Sequence, residues 1–240
     1  MSSAPAFGQL VEQARRAPAV AGLILTGSQA RGLATDRSDH DVYLITDDRA
    51  WAAQRSRDLD LLVIPEGEFA RYALPGHPRE WNRYSFAWAR VLLDRRDGEI
   101  TRLTRAKGTL DPAESQALAA GTLDAYVNGA YRSAKNHRDG RPDEAHLDAA
   151  ESLPYLLTTL FALHGRVRPY NKYLGWELRE HPLPDPAWAA DRLLPRLRRV
   201  LSDAHPATQR ALFNDLAAAA RAAGLAHVLD AWGPDLDLLT

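Results

Sequence analysis

Two short runs hold the side chains best suited to chemistry: Thr26-Gly27-Ser28-Gln29-Ala30-Arg31-Gly32 and Ser38-Asp39-His40-Asp41. Gly27 closes the apolar run of residues 20–26, and its missing side chain lets the backbone approach a ligand closely. Ser28 follows at the start of what reads as a short helix. Exposed amides there, with the Ser28 hydroxyl, make a phosphate cradle. Arg31, one turn on, could pair with the same oxygens. Asp39 and Asp41 stand two apart at the mouth of a strand, so both carboxylates project from one face, roughly 7 Å apart. Hard carboxylates so placed can hold Mg²⁺. A pair of such ions about 3.5–4 Å apart can activate an attacking oxygen and stabilise a leaving one.

A third carboxylate should come from a neighbouring strand. Asp60-Leu-Leu-Val-Ile repeats the register of Asp41-Val-Tyr-Leu-Ile, a carboxylate ahead of four apolar residues. Asp58 shares the Asp60 face by the period-two rule and is its rival. Asp60 is preferred because Asp58 lies further out, in a charged Arg-Ser-Arg-Asp surround. His40, between the first two aspartates, reads as a spacer facing away from them. The competing account of the whole stretch is a surface turn capped by Ser38 and Asp39.

The elements that must carry these residues alternate in the first half of the chain. Phe7, Leu10, Val11 and Ala14 recur at helical spacing on a surface helix. Strands are expected over residues 20–26, 42–46, 59–64 and 85–94, with a short helix over 47–54. From Asp111-Pro112, a good helix start, the pattern becomes purely helical. Helices are expected over 112–138, 143–164, 186–203 and 206–223. Pro154 should kink the second or mark its true start. The expected class is α+β: a small α/β domain with a mixed sheet over residues 1–110, then a helical bundle domain over 111–240.

Two of those helices carry polar stripes. On the first, Asp124, Asn128, Tyr131, Lys135 and Arg138 recur every three or four residues. This reads as a solvent face, or as a way for Lys135 to reach a triphosphate. On the second, Asp148, Glu151, Ser152, Tyr155 and Thr159 interrupt a helix rich in Leu and Phe. Glu151 is then a candidate general base for an acceptor hydroxyl or amine. Its alternative is a buried carboxylate satisfied by an arginine from a neighbouring helix. In the basic, aromatic run of residues 166–173, Lys172 and two tyrosines could touch phosphates or stack on a base; the alternative is a plain helix N-terminus with exposed side chains.

Composition narrows the classes. Cysteine is absent from the 240 residues, which removes thiol chemistry, disulfides and cysteine-held metals. No apolar run is long enough for a membrane helix, and the charged N-terminus is unlike a signal peptide. A cytoplasmic protein is expected. A net charge of −1 disfavours a nucleic-acid binder driven by phosphate neutralisation. Three lysines, Lys107, Lys135 and Lys172, stand against 27 arginines, so each lysine is a weak pointer to a place that needs a compact ammonium. A homodimer is compatible with all of this.

Gly-Ser, then about ten residues, then Asp-x-Asp entering a strand, then a third Asp on another strand, resembles the signature of the polymerase-beta-type nucleotidyltransferase superfamily. The resemblance covers residues 20–65 by motif and, loosely, the layout of the whole chain. Within that superfamily the chain is most similar to bacterial antibiotic adenylyltransferases and minimal nucleotidyltransferases. It implies two Mg²⁺ ions on Asp39, Asp41 and Asp60, a triphosphate, ATP by preference, on Gly27, Ser28 and Arg31, and a small-molecule acceptor beside the helical domain. Enzymes that modify a partner protein or a tRNA, and modules that only sense nucleotide, are the alternatives.

Overall fold

The computed structural model describes residues 4–240, with side chains from residue 6 onward. Contacts divide the chain between Thr109 and Leu110. The class is α+β, with a mixed five-stranded sheet in the first unit.

The first unit begins with α1 (Ala4–Arg16), whose Leu10 and Ala14 are buried. There follow β1 (Val20–Leu25), the single turn α2 (Gly27–Ala30), β2 (His40–Thr46), β3 (Gln54–Arg55), β4 (Leu59–Ile64), the short α3 (Glu66–Phe69), β5 (Arg90–Asp94) and α4 (Glu99–Gly108). The sheet order is β3-β4-β2-β1-β5, with β2 and β4 parallel and the other pairs antiparallel. All six residues of β1 are buried, which explains why it reads as a continuous apolar run without alternation. In β2 the period-two rule applies. Val42 and Leu44 pack with Leu10 and Ala14 of α1 in one cluster, while Tyr43 and Ile45 join Phe69, Phe86 and Ile100 in another.

Two sequence expectations fail in this unit. Residues 47–53 form a bend, a turn and irregular chain before β3 opens at Gln54; Asp48 Oδ1 accepts from the Ala50 amide at 2.9 Å, an Asx turn that competes with helix. The strand expected from Ser85 starts only at Arg90. Residues Glu80–Phe86 are a 3₁₀ helix instead, and Trp88 has a positive φ of 64°. In this segment the carbonyls of Tyr84 and Ala87 accept from the Arg31 guanidinium.

The second unit is helical: α5 (Pro112–Arg138), α6 (Pro142–Ala162), α7 (Asn171–Glu180), α8 (Ala190–Asp203), α9 (Pro206–Ala222) and α10 (Ala226–Asp230). Asp111 caps α5, accepting from the Glu114 amide at 2.9 Å, with Pro112 in the first turn. The helices α5 and α6 form a hairpin packed at very close range. A Cβ on Gly129 would lie 2.9 Å from Ser152 Cβ, so the glycine is what lets the two backbones approach. Ser133 donates to Ala145 O at 2.7 Å, and the Thr122 and Thr159 hydroxyls meet at 2.9 Å. Helix α6 starts at Pro142 and runs on through Pro154, which therefore does not mark its start. Pro154 is exposed, so the carbonyl it leaves without an N–H partner can turn to water.

Candidate functional site

The C-terminal end of β1 and the N-terminal ends of β2 and β4 lie at one edge of the sheet, because β1 runs antiparallel to β2 and β4 runs parallel to it. The Thr26 amide donates to Asp41 O at 2.8 Å, carrying the β1–β2 ladder to the point where Gly27 turns. Gly27 has φ +66°, and a Cβ built on it would stand 1.9 Å from Asp41 Oδ2. The Asp41 carboxylate therefore occupies the space a side chain at 27 would need. Ser28 is buried; the Ala30 amide donates to Thr26 O at 3.3 Å, whereas the Gly27, Ser28 and Gln29 amides ahead of it have no intrahelical acceptor.

Asp41 pairs in register with Asp60 across the parallel β2–β4 ladder. In a parallel pair such partners project to the same face, here the face of Tyr43 and Ile45. Asp60 also has Arg55 Nε at 4.0 Å from its carboxylate; the Arg55 side chain is 87% exposed, so this contact contributes little. Asp39 lies one residue ahead of β2 and is half-buried. The ladder's register, carried back past the strand ends, sets Asp58 opposite Asp39, and the His40 amide donates to Asp58 O at 3.0 Å. His40 itself is buried on the opposite face, stacked on Phe7 with ring centroids 4.2 Å apart. Among the described residues no three His, Asp or Glu side chains stand close enough together to hold a metal ion.

The other sequence candidates lie as follows. Arg31 is buried, and its guanidinium donates to the carbonyls of Gly27, Tyr84 and Ala87. Glu151 is exposed and accepts from Arg132 of α5 at 2.9 Å; the same guanidinium reaches Asp148 at 3.0 Å. Asn136 donates to Asp148 as well, at 2.8 Å. Asp148 and Glu151 of α6 are thus met by Arg132 and Asn136 of α5, and Glu151, expected to be buried, is an exposed partner of Arg132. Lys135 and Lys172 are exposed on α5 and α7, with Lys172 Nζ 5.1 Å from the Tyr173 ring centroid.

A small polar cluster escaped the sequence reading. The Asn82 amide donates to the Tyr43 hydroxyl, and the Ser85 hydroxyl donates to Asn82 Oδ1. Tyr43 sits two residues after Asp41 on the same face, so period two alone would have drawn it in. Asn82 and Ser85 lie in the 3₁₀ segment and carried no such signal.

No protein-family model and no curated protein matches the chain. Among solved structures it is similar to a nucleotidyltransferase-like protein from Exiguobacterium sibiricum, at 16% identity and a TM-score of 0.45, over 99% of this chain and 78% of that one. A likeness at that level carries no functional argument. No helix among the described residues is long and apolar enough to cross a membrane.

Proposed function

We propose that the chain is a nucleotidyltransferase that moves a nucleoside monophosphate, AMP from ATP, onto a hydroxyl or amine of a small-molecule acceptor. The observation that carries this reading is the contact between Gly27 and Asp41, with Asp41 in register beside Asp60. A positive-φ glycine that exists to admit a carboxylate, at the start of a buried Ser turn, joins a phosphate cradle to an acidic pair. A structural turn has no need of that juxtaposition.

Asp41 and Asp60, in register, are hard oxygen donors of the kind Mg²⁺ takes, and one or two carboxylates suffice where triphosphate oxygens and water complete the shell; Asp39, in the segment ahead of β2, would join them only once the metal is bound. When bound, two such ions would neutralise phosphate charge and stabilise both the attacking and the leaving oxygen. The Gly27 and Ser28 amides orient the triphosphate. The acceptor oxygen bonds to the α-phosphorus, the bond to pyrophosphate breaks, and an Asp60 carboxylate oxygen takes the acceptor's proton. Asp60 is favoured over Glu151 for that step because Glu151 is engaged by Arg132. Positioning and charge neutralisation supply most of the rate in such a transfer.

The test is incubation with Mg²⁺ and each labelled nucleoside triphosphate against a panel of aminoglycosides, lincosamides and cell extract. Mass spectrometry should find a nucleoside monophosphate adduct and pyrophosphate. Asp41→Asn should leave less than about a tenth of the wild-type turnover in a folded protein. Absence of an adduct and of pyrophosphate with every triphosphate overturns the reading.

A further inference from the structure

Arg31 is built into the protein unlike a cation waiting for an anion. The residue is 8% exposed. Its Nη1 donates to Gly27 O at 2.8 Å, and its Nη2 donates to Tyr84 O at 3.0 Å and Ala87 O at 2.7 Å. The guanidinium carbon lies 4.9 Å from the centroid of the Tyr84 ring, itself buried. One planar side chain therefore ties the turn after β1 to a segment more than fifty residues away in sequence. That segment is strained: Trp88, next to Ala87, is a bulky residue at positive φ. It also carries Asn82 and Ser85, whose hydrogen bonds end on Tyr43, on the strand and face of Asp41.

We propose that Arg31 is a positioning residue: it locks residues 84–88 against the Gly27 turn, and so orients that turn's amides, without itself touching phosphate. Its effect on nucleotide rests on the nucleotidyltransferase reading; the clamp does not. A lysine cannot replace it, because three carbonyls on two segments need a planar fork of donors, and an ammonium is a point charge. The same device recurs at a place remote from the turn. Arg95 donates to the carbonyls of Ala14, Arg15, Ala17 and Val20, which makes Arg95→Met a matched control.

The experiment uses the full chain as wild type, Arg31→Lys, Arg31→Met, Tyr84→Leu and Arg95→Met. Hydrogen exchange is read by mass spectrometry without ligand, and Mg-ATP binding by calorimetry. Exchange at residues 27–33 and 84–90 should rise about tenfold in both Arg31 variants and in Tyr84→Leu, with α5 and α6 unchanged. Mg-ATP affinity should fall about tenfold in all three, Arg31→Lys as much as Arg31→Met. Arg95→Met should loosen residues 14–20 and leave the affinity alone. If Arg31→Met does not fold, Tyr84→Leu reads the same clamp with the charge in place. Wild-type exchange and affinity in Arg31→Lys, or in Tyr84→Leu, overturns the proposal in favour of a phosphate ligand. A wild-type protein that does not bind Mg-ATP removes the nucleotidyltransferase reading, while the exchange data still decide the clamp.

Discussion

At position 27 two demands meet, a backbone at positive φ and a neighbour's carboxylate where a Cβ would go. Gly27→Ala violates both. The left-handed conformation costs an alanine about 1–2 kcal/mol, and the new methyl displaces Asp41 from its place beside Asp60. Calorimetry should show Mg-ATP affinity reduced by more than the modest loss of thermal stability accounts for; an unchanged affinity in the folded variant refutes the cradle. Lys107 is a different case, one where chemistry and burial collide. It is fully buried, with Nζ donating to Ala70 O at 3.2 Å and standing 4.7 Å from the Phe69 ring centroid. Burial, aided by Arg83 and Arg102, pushes its pKa down to about 8 from 10.5. Between those two values the unfolded chain holds the proton that the folded protein releases, so stability rises with pH through that window and is lowest below it. Lys107→Met should abolish the rise and stabilise the protein at pH 7 by on the order of 2 kcal/mol, read by urea denaturation at pH 7 and pH 10.

Elements place these residues through their pairing. The parallel β2–β4 ladder is what turns two separate Asp-plus-apolar runs into neighbours, and the antiparallel β1–β2 ladder brings the Gly27 turn to the same edge. In the α5–α6 hairpin, Gly129 and Ser152 approach closely, and on that side Arg132 and Asn136, which lie off the α5 stripe, meet Asp148 and Glu151. Ion pairs this exposed are worth little. Glu151→Gln should change thermal stability by less than about 1 kcal/mol and leave transferase turnover at the wild-type level. A loss of about 10²–10⁴ in turnover would restore Glu151 as the base.

Across the whole molecule there are separate cores. The sheet buries apolar side chains on both faces, α1 covering one and the segment from Phe69 to Ile100 the other, while Tyr126, Phe161, Trp188 and Leu216 belong to a core of the helical unit alone. Leu110 is buried in that helical core, and its amide donates to Gly165 O at 3.0 Å. A fragment of residues 110–240 should therefore keep a helical circular-dichroism spectrum and melt cooperatively, whereas one starting at 112 should melt lower. A non-cooperative melt of the longer fragment would show that its core is insufficient by itself.

Local chemistry was legible in the sequence wherever a short-range rule acts. Runs of apolar residues ending at Gly27, Thr46 and Pro65 announced β1, β2 and β4, because a buried strand leaves a continuous apolar signature. Asp111-Pro112 announced α5 through its cap and its proline. The shared face of Asp41 and Tyr43 follows from the strand period. What the sequence could not contain was the partner of each group. Ahead of the late start of β5, Arg31 holds the Tyr84 and Ala87 carbonyls and Trp88 stands at positive φ; the partners of Arg31 and Glu151 are carbonyls and a guanidinium near in space and distant in sequence. Directed hydrogen bonds and ion pairs are settled by which elements pack together, and one-dimensional periodicity records only which face a residue occupies.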